Sequence, residues 1–324
     1  MKKRSLDLDF SRGFAMILIV LGHIIRGLND SNIQISNFEL IDYILYSIHL
    51  PILFIVSGIV ERRFSKKDHT KNKFIKFFKN NIISLYFPYI TFILFYWIIK
   101  MFIFKGNNEA NYSDLLFICF SGKWIFWYLL SLLFIKIVHY LFEYNNKIFN
   151  AFLFFLLVYI LNYFVSFTPI LWLSYGFFYS CGYIYELCNE KYDDFSKKCM
   201  IVFSVLLIFS FTLFNQIENN VFVGMIIYGI PVSLLLINIS QIIKKQNLIT
   251  LIGEYSMILY LTHTIVTSVI RTLLLKFNII NITINIITGF FASIFVTFLI
   301  VFMYKKFKIF RWVEYLFYPT RSKR

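Results

Sequence analysis

Residues 9–23 read DFSRGFAMILIVLGH. The stretch opens on charge, crosses ten residues without an ionisable side chain between Arg12 and His23, and ends on that histidine. Eleven residues separate Arg12 from His23, three turns of α-helix, so the side chains fall within about 20° of one face and about 16 Å apart along the axis. An apolar helix with an arginine at its start and a histidine well inside needs a reason, because ionisable groups in such a run are costly and usually functional.

The rest of the chain places this run in a membrane. Of 324 residues, 59% are hydrophobic and 21% aromatic, and mean hydropathy is +0.70. Only 15% are charged, against about 25% in ordinary soluble domains. Several apolar stretches exceed about eighteen residues with few charges, which is the length of a membrane-spanning helix. The fold class is therefore an all-α polytopic membrane bundle. Ten spans are expected, at roughly 11–29, 40–60, 82–104, 123–143, 148–165, 170–188, 200–216, 221–243, 251–275 and 284–304. Lys2, Lys3 and Arg4 precede the first run as in a signal peptide, but no small-residue cleavage site follows and Asp7, Asp9 and Arg12 interrupt the approach, so an uncleaved first helix is expected.

Net charge is +15. In a soluble chain this would suggest nucleic acid; here the positive-inside rule accounts for it, and no nucleic-acid partner is expected. With both termini cytoplasmic, 25 of the 32 Lys and Arg fall in inner segments. Arg26, Lys100, Lys105, Lys123, Lys136, Arg271 and Lys276 are left to outer loops or helices. The segment ERRFSKKDHTKNKFIKFFKNN (61–81) reads as the longest inner loop. The tail KKFKIFRWVEYLFYPTRSKR (305–324) mixes basic and aromatic residues and reads as an interfacial segment, so the chain divides into a transmembrane domain, 1–304, and this tail. Cys119, Cys181, Cys188 and Cys199 form no CxxC pair and read as free thiols, with no metal site.

Three of the five histidines fall deep in spans: His23 on the first, His49 on the second, His263 on the ninth. All three lie near mid-membrane depth and could face one cavity. Asp42, Tyr46 and His49 form one polar stripe, with Glu39 beside Asp42 at its outer mouth; Ser256, Tyr260, His263 and Thr267 form another, with Arg271 nearby. Asp9, three residues before Arg12, is placed to hold its guanidinium. A bundle histidine can also simply bond a neighbouring helix, and His139, one turn from Glu143, reads as such a structural pair. Arg62 and Arg63 are candidates for the phosphates of an anionic cofactor, in competition with the positive-inside explanation.

A neutral histidine suits a general base that takes a proton from a hydroxyl. An arginine suits an anion or developing negative charge. Buried together they fit acyl transfer to an alcohol. No HExxH, GxSxG or Walker loop competes, and no deep carboxylate pair suggests glycosidase chemistry.

These motifs resemble the acyltransferase-3 family of bacterial membrane acyltransferases. The family opens on an arginine, ten residues and a histidine, matched by Arg12 and His23 with Asp9 upstream and Gly13 following. SIHLPILFIVSG (47–58) is similar to its second-helix motif through His49, Pro51, Phe54, Ser57 and Gly58, with Leu53 where an aromatic is common. IFWYLLSLL (125–133) matches through Trp127, FFYSCGYIYE (177–186) through Gly182, and LIGEYSMILYLTHTIV (251–266) through Gly253, Ser256, Tyr260 and His263.

The resemblance implies transfer of an acyl group, usually acetyl from acetyl-CoA, to a carbohydrate hydroxyl, by a multi-pass protein of the cell inner or plasma membrane. It implies His23, Arg12 and Asp9 as catalytic residues, and His49, Tyr260, His263 and Trp127 as acceptor-binding ones, to which the stripe leading to His49 adds Tyr46. Arg12, Arg62 and Arg63 are the expected donor-binding residues. A carbohydrate acceptor, membrane lipid and glycan-assembly proteins are the implied partners. The competing expectation is an exporter of a polysaccharide or lipid-linked sugar, whose path the polar stripes would line, although no repeated pair of interrupted helices is evident in the sequence.

Overall fold

A computed structural model of the chain describes residues 5–64, 71–102, 126–144, 147–165, 168–192, 198, 202, 204–206 and 220–320. These are 88% helical without strands, and seven helical segments are long and apolar enough to cross a membrane. The expected seventh span lies almost wholly outside the described residues, as do His69, Cys119 and Cys199; Cys181 and Cys188 are free thiols.

The chain divides into two compact units, one of residues 1–65 and 178–298, the other of 66–177 and 299–324. In the first, α1 (Leu6–Asp30) turns back into α2 (Phe38–Phe64). Asn32 and Asn37 take left-handed backbone angles in that turn, a conformation asparagine tolerates better than most residues. The two helices are antiparallel in one register: Ser5 and Asp7 lie beside Arg63, Gly22 beside Tyr46, and Arg26 beside Asp42.

In the second unit, α3 (Lys71–Asn81) runs through a π-helical turn (Ile82–Tyr86) into α4 (Phe87–Phe102). This corrects the expected loop over 61–81. Phe74, Phe77 and Phe78 share one face at helical spacing, and the first two pack on Tyr140, so Lys71–Asn81 is amphipathic helix rather than loop. That unit also holds α5 (Trp127–Tyr144), α6 (Ile148–Phe164) and α7 (Thr168–Ser174). The expected sixth span is broken at Tyr175, beyond which α8 (Gly176–Lys191) begins. The tail forms a short helix over Arg311–Phe317, with Phe317 buried on Phe92 and Ile309, Trp312 and Tyr315 exposed.

The remainder of the first unit surrounds α1. A helix of three parts, α9 (Val221–Gly224), a π turn (Met225–Gly229) and α10 (Ile230–Ser240), packs against α2. The expected ninth span is also interrupted: α11 (Leu248–Glu254), opened by an Asn247–Thr250 capping box, is separated by Tyr255 from α12 (Ser256–Lys276). After α12 the chain turns into α13 (Ile282–Lys306).

Glycines decide how closely these helices approach. A Cβ at Gly13 would overlap the Ile249 carbonyl, and one at Gly253 the Asp9 carbonyl. Helices α1 and α11 thus cross backbone on backbone. Gly58 of α2 and Gly182 of α8 do the same, against the carbonyls of Tyr179 and Ile55. Lipid removes the hydrophobic drive between helices, so such close approach supplies the packing instead. Pro51 has no N–H for the carbonyl of Ser47 one turn earlier, and Gly229 lies against that carbonyl.

Gly253→Val puts a branched side chain where backbone now sits. It is expected to destabilise the folded protein by about 1–3 kcal/mol, read as a lower unfolding midpoint in detergent. Gly289→Ala, whose new methyl would meet side-chain atoms alone, the end of Ile24 at 3.3 Å and Thr267 Cγ2 at 3.9 Å, is expected to stay within about 0.5 kcal/mol of the parent.

Candidate active site

The crossings set the level of every polar group on α1. Gly13 meets α11 at Gly253, and Gly27 lies against the Arg271 guanidinium, so α1 runs parallel to α11 and α12. That register brings His23 level with His263, and the ring centroids are 5.1 Å apart, tilted by 56°. The antiparallel register with α2 puts His49 level with Ile19, about 6 Å along the axis from His23. Three helices thus bring the three histidines into one cluster, with Tyr46 edge-on to His49 at 4.6 Å and Tyr260 6.1 Å from His263.

The histidines differ in their bonding. His49 Nδ1 lies 2.6 Å from the Leu45 carbonyl oxygen, and His263 Nδ1 lies 2.9 Å from that of Leu259. A carbonyl only accepts, so each Nδ1 carries the hydrogen and each Nε2 keeps its lone pair. His263 is fully buried and its Nε2 has no hydrogen-bond partner. His23 is partly exposed, and among the described residues no hydrogen bond fixes its ring. Among the described residues both of its nitrogens are uncommitted, whereas His49 and His263 are each held at Nδ1. The Tyr46 hydroxyl is likewise buried without a hydrogen-bond partner.

Arg12 is a third exposed, with its guanidinium 3.9 Å from the Asp9 carboxylate. That separation is too long for a hydrogen bond, so Asp9 steadies the arginine by charge alone. Met16 and Ile19 occupy the same face of α1 between Arg12 and His23, and both are buried. The interior track joining the two is filled by these side chains rather than open.

Arg62 and Arg63 already carry carboxylates. Arg63 binds Glu186 at 2.6 and 3.1 Å and Asp7 at 2.7 Å, tying the start of α1 and the end of α2 to α8. Arg62 bonds Glu190 and stands over the Tyr183 ring. Both guanidinia pin helix ends, whereas among the described residues Arg12 meets a carboxylate only at 3.9 Å. Trp127 belongs to the other unit, where its ring lies 5.1 Å from that of Tyr175. Among the described residues no three His, Cys, Asp or Glu converge as metal ligands.

One neighbour of the cluster escaped the sequence reading. Arg26, counted there with the outer basic residues, forms a two-point ion pair with Asp42, Nε to Oδ1 at 2.6 Å and the second nitrogen to Oδ2 at 2.7 Å. Its guanidinium carbon stands 3.2 Å from the centre of the Tyr46 ring. Two signals were present: Arg26 lies one turn beyond His23, and Asp42 one turn before Tyr46.

A family model described as an acyltransferase domain, that of the acyltransferase-3 family, matches residues 5–305. The chain belongs to that family. Among curated proteins and among solved structures there is no significant match. The protein is a multi-pass membrane acyltransferase, and the Arg12–His23 pair and the motif positions of α2, α11 and α12 fall within the matched span. Within this acyltransferase, the motif glycines Gly13, Gly58, Gly182 and Gly253 stand at helix crossings, whereas His23, His49, His263 and Tyr260 gather in the cluster those crossings create.

The difference between the arginines is measurable. Arg63→Met leaves Asp7 and Glu186 without their cation and is expected to cost the acyltransferase about 3 kcal/mol of stability. Arg12→Met removes a partly exposed charge that, among the described residues, has one distant partner, and should cost less than about 1 kcal/mol. Thermal unfolding of the two variants in detergent checks the contrast.

Proposed function

We propose that this membrane acyltransferase moves an acyl group, acetyl in the first instance, from acyl-CoA to a hydroxyl of a cell-surface carbohydrate or its lipid-linked precursor, in the bacterial plasma membrane. The observation that carries the reading is the bare, fully buried Nε2 of His263 beside the unbound ring of His23. An unsatisfied acceptor in such a place costs about 1–3 kcal/mol, and a substrate hydroxyl relieves it. Polyhydroxylated acceptors suit a cluster that offers several such lone pairs.

In the proposed step, His23 takes the proton of the acceptor hydroxyl while its oxygen attacks the thioester carbonyl carbon. The carbonyl oxygen becomes an oxyanion. Collapse of the intermediate breaks the C–S bond, and the imidazolium returns its proton to the departing thiolate, so the ester and free thiol form with no net change at the enzyme. His49 and His263, with Nε2 unprotonated, accept from sugar hydroxyls and give nothing to the oxyanion. The buried Tyr46 hydroxyl is the donor for that charge.

Arg12, held near Asp9, receives an anionic part of the donor. A pantetheine arm is long enough to bridge the three turns from Arg12 to His23. Its path requires both Met16 and Ile19, buried along that track, to move aside, more readily for the unbranched thioether than for the β-branched side chain. Arg62 and Arg63 act at a distance, by holding the helix ends.

Transfer of radiolabel from acetyl-CoA into the glycan fraction tests the proposal in membranes of expressing cells. His23→Ala is expected to reduce transfer by about 10²–10⁴-fold. Arg12→Ala is expected to weaken acetyl-CoA binding as well as turnover. Normal transfer by both variants would overturn the assignment, and a parent protein that consumes no acetyl-CoA would favour the exporter.

A further inference from the structure

The reaction outlined above leaves one charged pair without a part. Arg26 and Asp42 bond through both edges of the guanidinium fork, at 2.6 and 2.7 Å. This fixes the plane of the guanidinium as well as its position. The pair is unusual in where its flat face lies, 3.2 Å from the centre of the Tyr46 ring.

Tyr46 is confined on its other sides too. Gly22, one turn before Arg26 on α1, lets the ring lie close to the helix backbone: a Cβ there would stand 3.4 Å from Tyr46 Cε2. The His49 ring meets Tyr46 edge-on, with centroids 4.6 Å apart. Arginine, the α1 backbone at Gly22 and imidazole thus border the ring on three sides. The group at its tip, a buried hydroxyl without a hydrogen-bond partner, is thereby aimed rather than free to turn. A surface ion pair alone would contribute little; an ion pair that clamps a ring is a positioning device.

We propose that Arg26, locked by Asp42, is a positioning residue of the transfer reaction, holding Tyr46 so that its hydroxyl donates to the oxyanion of the thioester. The inference rests on the acyl-transfer reading given above and extends it. A cation over the face of a phenol draws density from the ring and makes the hydroxyl a better donor, so Arg26 acts on strength as well as direction. Lysine would keep the charge and lose both the fork and the stacked plane.

A double-mutant cycle tests this. The rate of radiolabel transfer from saturating acetyl-CoA is measured in membranes for the parent, Tyr46→Phe, Arg26→Gln, the double variant and Arg26→Lys, with amounts of folded protein matched by thermal unfolding in detergent. Tyr46→Phe is expected to slow transfer about 10²-fold, the loss typical of one oxyanion donor. Arg26→Gln should slow it about tenfold or more, with the half-saturating acetyl-CoA concentration unchanged and Arg26→Lys only partly restoring the rate. In the double variant the Arg26 substitution should add nothing to the loss from Tyr46→Phe. Losses that multiply, or an Arg26→Gln variant as fast as the parent, overturn the proposal. His23→Ala in the same membranes separates the two levels. If it still transfers, the reaction reading fails; if it is dead while the cycle multiplies, only the role of Arg26 fails. Should Arg26→Gln not fold, the cycle is run with Arg26→Lys.

Discussion

Everything at the centre of this acyltransferase depends on the backbone contact between α1 and α11 at Gly13 and Gly253. In lipid, two helices gain little from hiding apolar side chains from one another. They gain from touching closely, and closeness requires that neither carry a side chain where they cross. A side chain at either glycine would overlap the opposing carbonyl. Because α12 follows α11 after a single break at Tyr255, the crossing also sets how far His263 stands along α1. A slip of one residue would move it about 1.5 Å along the axis and turn it by about 100°, enough to carry its ring away from that of His23. The glycines therefore carry no chemistry of their own, yet they determine which chemistry is possible.

The cluster is built against its own stability. His49 and His263 each spend one nitrogen on a carbonyl of their own helix. This closes the most polar edge of the ring and fixes the tautomer. For His263 the other nitrogen remains buried and unmatched. Native interiors seldom leave such a group alone, and where they do the deficit tends to sit at functional sites. Under the proposed reaction the deficit has a use, since the hydroxyl that enters brings the missing hydrogen. The same logic applies to Tyr46, whose buried hydroxyl also lacks a hydrogen-bond partner.

Much of this was legible in the sequence, for identifiable reasons. Mean hydropathy and the length of the apolar runs exposed the membrane bundle, because lipid demands both. The eleven-residue step from Arg12 to His23 and the stripes leading to His49 and His263 were visible, because helical periodicity is a local property. What stayed hidden is what depends on register between helices. Phe74, Phe77 and Phe78 looked like part of a basic loop until Tyr140 supplied the partner for their face. The interruptions at Tyr175 and Tyr255 leave no mark that hydropathy detects, since both flanks remain apolar. The level of His49, one turn from His23 rather than matched to it, follows only from how α1 and α2 are paired.

The arginines show that limit most clearly. In a charge count Arg12, Arg26, Arg62 and Arg63 weigh the same, and the positive-inside rule treats each as one unit of topology. Their partners make them different objects. Arg63 stands between two carboxylates and acts as a strap across three helices. Arg62, on Glu190 and Tyr183, does the same at one remove. Among the described residues Arg12 has one carboxylate at arm's length, so its charge is matched least closely of the four. Arg26 has its charge matched and its flat face turned to an aromatic ring, so what it offers is shape more than charge. A cation becomes a candidate for catalysis by what its partners leave undone, and that is a property of pairs, which one-dimensional spacing reaches only when both members lie on the same helix.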